Sequence, residues 1–168
     1  MQDSLPKKFT HEEIDKSHSS FFTRPFFLSL TIGLPFCLFK ILFGIQFIRA
    51  SGIYNQSIFL VPGIILIIWA GIDMMFNLVR AGYDLIGIPD KIEFCILAQL
   101  GRYLNASMVF LALDTLITFS IICAALWSGW IVHLNQIESI LWYFATTLNL
   151  ISLSLVILWN EIKRMVIE

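Results

Sequence analysis

Residues 50–72, 115–137 and 139–160 contain no Lys, Arg, Asp or Glu, apart from Glu138 just outside the last two runs, and residues 25–48 contain a single one, Lys40. About 20 mostly apolar residues in helical form cross a bilayer core of ~30 Å. Four such runs in 168 residues leave almost no chain for a soluble domain. The composition agrees, at 58% hydrophobic and 14% charged, where a soluble domain has about 45–50% and about 25%. A small domain leaves much of its area in water and cannot hide this much apolar surface. The runs are too long for transmembrane β-strands and show no alternation of period two.

The expected fold is therefore all-α: an integral membrane protein built as a four-transmembrane-helix bundle, with spans at about 25–48, 57–80, 106–130 and 139–160. Residues 1–24 form a charged tail, 81–105 the sizeable connection, and 161–168 a second tail. Arg24-Pro25 is a good helix start, since proline is tolerated in a first turn. The alternating charges of residues 1–20 do not resemble a signal peptide, so the first span is expected to stay in the mature chain. Within 81–105, Gly87 and Pro89 look like a helix stop, and Asp90 looks like a cap for a new helix. The stretch after Asp90 has two open readings, an interfacial helix or a third span that starts early and projects from the membrane.

Lysine and arginine set the orientation. Lys7, Lys8, Lys16, Arg24, Arg80, Lys91, Arg102, Lys163 and Arg164 fall on one side of this arrangement, and Arg49 on the other. Positive charge accumulates on the cytoplasmic side, so both termini are expected there, in a cytoplasmic (inner) membrane. Trp127, Trp130, Trp142, Tyr54 and Tyr143 would form the outer aromatic belt, and Trp159, Tyr83 and Tyr103 the inner one.

Polar residues within the spans need an account, because an ionisable group costs ~2.5–3.5 kcal/mol to insert. Ser29, Gly33, Cys37, Lys40 and Gly44 share one helical face of the first span. Asp73, Asn77, Arg80 and Asp84 form a stripe on the second. Ser107, Asp114, Thr118 and Ala125 do so on the third, and Trp142, Thr146, Asn149 and Asn160 on the fourth. Such faces belong inside a bundle or against a partner.

At 1.5 Å per residue, Asp73 and Asp114 lie ~10–12 Å from the inner edge, and Lys40 ~13 Å from the outer one. Asn149 is then nearly level with Lys40, and the two aspartates lie roughly 10 Å from it in depth, a gap a lysine side chain only partly bridges. These residues have two candidate uses. In the first they specify packing, Asp73 pairing with Asn77 or Arg80 and Asp114 with a hydroxyl or amide across the bundle. In the second Asp73 and Asp114 line a proton or cation path with Lys40 as a gate or counter-charge. Arg80 and Asp84, four residues apart, are expected to form an interfacial pair.

Absences narrow the function. His11, His18 and His133 are not deep in any span, which argues against haem held between helices. Cys37, Cys95 and Cys123 are widely spaced, and no metal-spaced cluster, nucleophile motif or phosphate loop occurs. With a net charge of −1 the chain has no basic face for nucleic acid. The sequence thus predicts a non-catalytic structural or assembly subunit of a larger membrane complex, without cofactor or metal. Its partners would be the lipid bilayer and other membrane proteins or further copies of itself. The alternative is a small oligomeric transporter or channel protomer conducting through Asp73 and Asp114.

Overall fold

The computed structural model describes residues 24–54, 56–88 and 93–167, and among these it contains helices and no strand. Four helices are long and apolar enough to cross a membrane. The first, α1, runs through Pro25–Leu28, a π-helical segment Ser29–Gly33 and Leu34–Tyr54. A 3-10 turn, Ser57–Phe59, leads into α2, Leu60–Ile86. A short helix, α3, spans Ile96–Tyr103, and α4 spans Ser107–Trp127. After a 3-10 turn at Trp130–His133, α5 occupies Gln136–Ile167. Most of the expected N-terminal tail lies outside the described residues.

Local sequence explains the breaks. Pro35 has no N–H for the carbonyl four residues earlier, and its ring crowds that carbonyl. The chain is π-helical immediately before it, which re-spaces those hydrogen bonds without ending the helix. Gly87 stops α2 in the left-handed conformation at φ 75°, where glycine has no Cβ penalty. Its N–H bonds to Asp84 O at 3.2 Å and the next N–H to Tyr83 O at 3.0 Å, the paired closure of a Schellman ending. At the opposite end Asn135 caps α5: its Oδ1 accepts the Glu138 N–H at 2.8 Å, and Glu138 Oε2 accepts the Asn135 N–H at 2.9 Å. That reciprocal pair satisfies two donors that a helix start leaves open.

Helix α1 is the hub, packing against α2, α4 and α5. With α2 it makes the tightest approach. A Cβ on Gly44 would lie 2.9 Å from the Gly63 carbonyl, and one on Gly63 would lie 2.9 Å from the Gly44 carbonyl. Small residues admit such backbone contact where bulkier ones would hold helices apart. On its other side Phe36, Phe39 and Leu42 pack with Ala125 of α4 and with Trp142 and Ala145 of α5. Phe39 meets Trp142 edge-on at 4.9 Å between centroids.

Several expectations need correction. The helices outrun the expected spans: α1 continues to Tyr54, α2 to Ile86, and α5 to Ile167, so 161–167 extends the helix. Trp142 is buried in the core, so it is not part of an exposed aromatic belt. The inward face of α5 is Trp142, Ala145, Asn149 and Ser152, while Asn160 is exposed.

The 81–105 connection contains a separate helix, α3, that packs along the start of α4. The chain turns sharply between them, with Asn105 left-handed at φ 53°. The Ala106 N–H closes the turn on Gly101 O at 2.8 Å. Gly101 lies so close to Phe110 that a Cβ would come within 2.8 Å of that side chain. Residues 93–95 thus enter the bundle beside α2, and α3 leads back out.

A buried lysine–aspartate knot as the candidate functional site

The stripes of α1, α2 and α4 converge on Lys40. Its Nζ lies 3.1 Å from Asp73 Oδ2 and 2.6 Å from Asp114 Oδ1. It also sits 4.7 Å from the centre of the Trp69 ring. Lys40 and Asp73 are each 1% exposed, and Asp114 5%. The ammonium carries three protons. Two carboxylates and an aromatic face surround them.

This corrects the expected 10 Å offset in depth. Arg80 does not mark the end of α2, which runs six residues further to Ile86, so Asp73 lies deeper in its helix. The Gly44–Gly63 contact and the seating of Gly33 against Asn77 set the register of the two helices. The long lysine side chain reaches both carboxylates. Asp73 therefore pairs with Lys40 rather than with Asn77 or Arg80, and Asp114 pairs with Lys40 rather than with a hydroxyl or amide.

The returning segment is tied to the same knot. Asp73 Oδ1 accepts the Ile96 N–H at 2.8 Å, so a side chain of α2 caps the first turn of α3. The open N–H groups of that turn and the axial dipole both favour a carboxylate there. Cys95 adds a local cap, its Sγ accepting the Ala98 N–H at 3.4 Å. Burial, and then the charge of Asp114, push the Cys95 thiol up to about 12, so it stays protonated and unreactive.

Asn77 continues the arrangement one turn along α2. Its Nδ2 donates to Phe94 O at 2.9 Å and to Asp73 O at 2.9 Å. Backbone that leaves regular structure inside an apolar bundle needs such partners.

Arg80 and Asp84 do not pair with each other among the described ion pairs. The Arg80 guanidinium lies 3.6 Å from the centre of the Phe94 ring and 3.9 Å from Glu93 Oε2. Asp84 Oδ2 instead accepts the Phe26 N–H at 3.2 Å, an open donor in the first turn of α1. Backbone and side-chain partners on neighbouring elements displace the i,i+4 pair. Asn149 is buried on α5, but no described contact joins it to Lys40, and its Oδ1 has no hydrogen-bond partner among the described residues.

A second cluster, which the polar stripes do not reveal, lies at the opposite end. Arg49 Nη2 meets Glu138 Oε1 at 2.7 Å and its Nη1 meets Oε2 at 3.2 Å, a two-pronged pair. Nη1 also donates to His133 O at 3.0 Å. The signal available was the Asn135-x-x-Glu138 capping pattern beside the one arginine assigned to that side.

A cavity of about 200 Å³ adjoins the knot. Lys40, Asp73, Asn77, Asp114 and Thr115 are among its polar lining, with Leu28, Ile32, Phe36, Phe94 and Leu111 among its apolar lining. Searches against family models, curated proteins and solved structures return no match.

Proposed function

We propose that this chain is a multi-pass membrane protein with four spans and both termini cytoplasmic, acting as a non-catalytic assembly subunit within a larger membrane complex. The observation that carries the reading is how the deep charges are used. Lys40, Asp73 and Asp114 bind one another and the first turn of α3, so they join four helices. One turn further along α1, toward Arg49, Gly44 and Gly63 bring the backbones of α1 and α2 into contact, and Phe36, Phe39 and Leu42 fill the opposite face of α1 with an apolar cluster. This packing supports a structural knot better than a continuous polar route. The outward surface of α2, with Ile64, Ile65, Ile68, Ile72 and Met75 exposed, suits lipid or the apolar helices of partner subunits.

The nine-to-one distribution of Lys and Arg supports the orientation. Reporter fusions after Gly87 and after Glu168 are expected to read cytoplasmic, and one after Asn135 the opposite side. A C-terminus on the far side would overturn the four-span arrangement.

One observation favours conduction as a second reading: two carboxylates against one lysine leave the knot with a formal charge of −1. Reconstitution separates the two. The subunit reading expects proton and monovalent-cation flux in liposomes no greater than that of empty ones. Wild-type flux that Asp114→Asn abolishes while helical content is unchanged would replace it with the conducting reading.

A further inference from the structure

We propose that the cavity beside the knot is a binding site for a small organic ammonium ion, with the charged head on Asp114 and a short apolar body between α1, α4 and Phe94. This goes beyond the assembly role and does not depend on it.

Charge and hydrogen-bond capacity both select the ligand. Lys40 offers it nothing, because its protons face Asp73, Asp114 and the Trp69 ring. Asp73 is also engaged, with Oδ2 on Lys40 and Oδ1 on the Ile96 N–H. Asp114 holds Lys40 through Oδ1, and its Oδ2 makes no hydrogen bond among the described residues. Asn77, 3% exposed, has its Nδ2 fixed by two carbonyls and its Oδ1 packed against Gly33, so it lines the cavity without offering a group to the ligand. The cavity therefore presents the Asp114 carboxylate, in a cluster with a formal charge of −1. A cationic donor brings the cluster to neutrality, whereas an anion would double the imbalance.

Size and lining select the rest of the molecule. The cavity holds about 200 Å³, and an apolar cavity of ~150 Å³ accommodates benzene. Leu28, Ile32, Phe36 and Leu111 line it with hydrocarbon, which favours an alkyl or aryl body and offers nothing to a hydrated ion. A hard metal cation takes six or more oxygens. Among the described residues no three His, Cys, Asp or Glu side chains gather as metal ligands.

The test uses the full chain in detergent micelles with benzylammonium chloride as the probe, empty micelles as the blank, and calorimetric titration at neutral pH. Saturable binding at one site per chain is expected, with benzyl alcohol, the neutral analogue, at least tenfold weaker. Asp114→Asn is expected to weaken benzylammonium at least tenfold. Leu111→Trp, which fills the cavity and leaves the three charged residues in place, should remove saturable binding with helical content unchanged. If Asp114→Asn does not fold, the alcohol comparison and Leu111→Trp still decide. No saturable binding above the blank would overturn the proposal. So would equal affinity for the alcohol, undiminished binding in folded Leu111→Trp, or complete displacement by equimolar sodium chloride.

Discussion

Lys40 and Arg49 lie two to three turns apart on α1, and each holds a carboxylate from another helix, in opposite surroundings. Lys40 is 1% exposed and has two carboxylates. Arg49 has a side chain 36% exposed and grips one carboxylate with both prongs. Lys40 is shielded from bulk solvent, so each charged group of the knot depends on its complement in the protein. At the clasp water and salt reach the Arg49 side of the pair, while Glu138 is 7% exposed. The inner knot ties α1 to α2, α3 and α4, while the outer clasp ties it to the α5 cap and the His133 carbonyl. Similar chemistry thus gives a cluster whose disruption is costly and another whose disruption costs less.

The comparison breaks most visibly at Lys40. Lys40→Met leaves Asp73 and Asp114 buried together without a cation, and removing one partner of a buried ion pair costs about 3–5 kcal/mol. Unfolding in mixed micelles is expected to show a loss of that size. Combining Lys40→Met with Asp73→Asn and Asp114→Asn should recover more than half of it, because the amides carry no charge to strand. A Lys40→Met protein within about 1 kcal/mol of wild type would mean the knot is not formed as described.

These elements differ in how far the sequence reveals them. The four long helices follow from charge-free runs, and the inward faces of α1, α2 and α4 follow from spacing: Cys37, Lys40, Asp73, Asn77, Asp114 and Thr118 are all buried. Spacing along one helix says nothing of how far it slides against the next. That slide is set by Gly44 on Gly63 and Gly33 on Asn77, and it decides that Lys40 reaches both aspartates. The return of residues 93–95 was hidden for a related reason. Its stability comes from Asp73 and Asn77, some twenty residues earlier, so Ile96–Tyr103 shows only a short apolar stripe when read alone.

Register offers the next, smaller effect. Gly44→Ala puts a methyl 2.9 Å from the Gly63 carbonyl and 2.8 Å from Ile67. A backbone oxygen cannot rotate aside, so the helices must part, at a cost of about 1–3 kcal/mol. Gly71→Ala is the control, since a Cβ there meets nothing within 4 Å. Alanine is the better helix former by ~0.8–1.0 kcal/mol in a helix interior, so this variant should be as stable as wild type or more so. Destabilisation of both by the same amount would show that helix propensity or expression, not close approach, governs position 44.

The smallest effect belongs to the clasp. Arg49→Met removes the two-pronged pair with Glu138 and the bond to the His133 carbonyl. It leaves the Asn135–Glu138 capping exchange in place. Glu138 is buried but keeps the Asn135 N–H at the helix end, and the arginine is partly exposed, so the loss should be about 1 kcal/mol, the top of the range for exposed pairs. Salt supplies the contrast with Lys40. Raising ionic strength from ~0.1 to ~1 M shortens the screening length from ~10 to ~3 Å. The gap between wild type and Arg49→Met should then shrink, while that between wild type and Lys40→Met changes less, since Lys40 is 1% exposed to bulk solvent. Equal salt sensitivity at the two positions would mean the knot is open to water, and the difference drawn between the two clusters would fail.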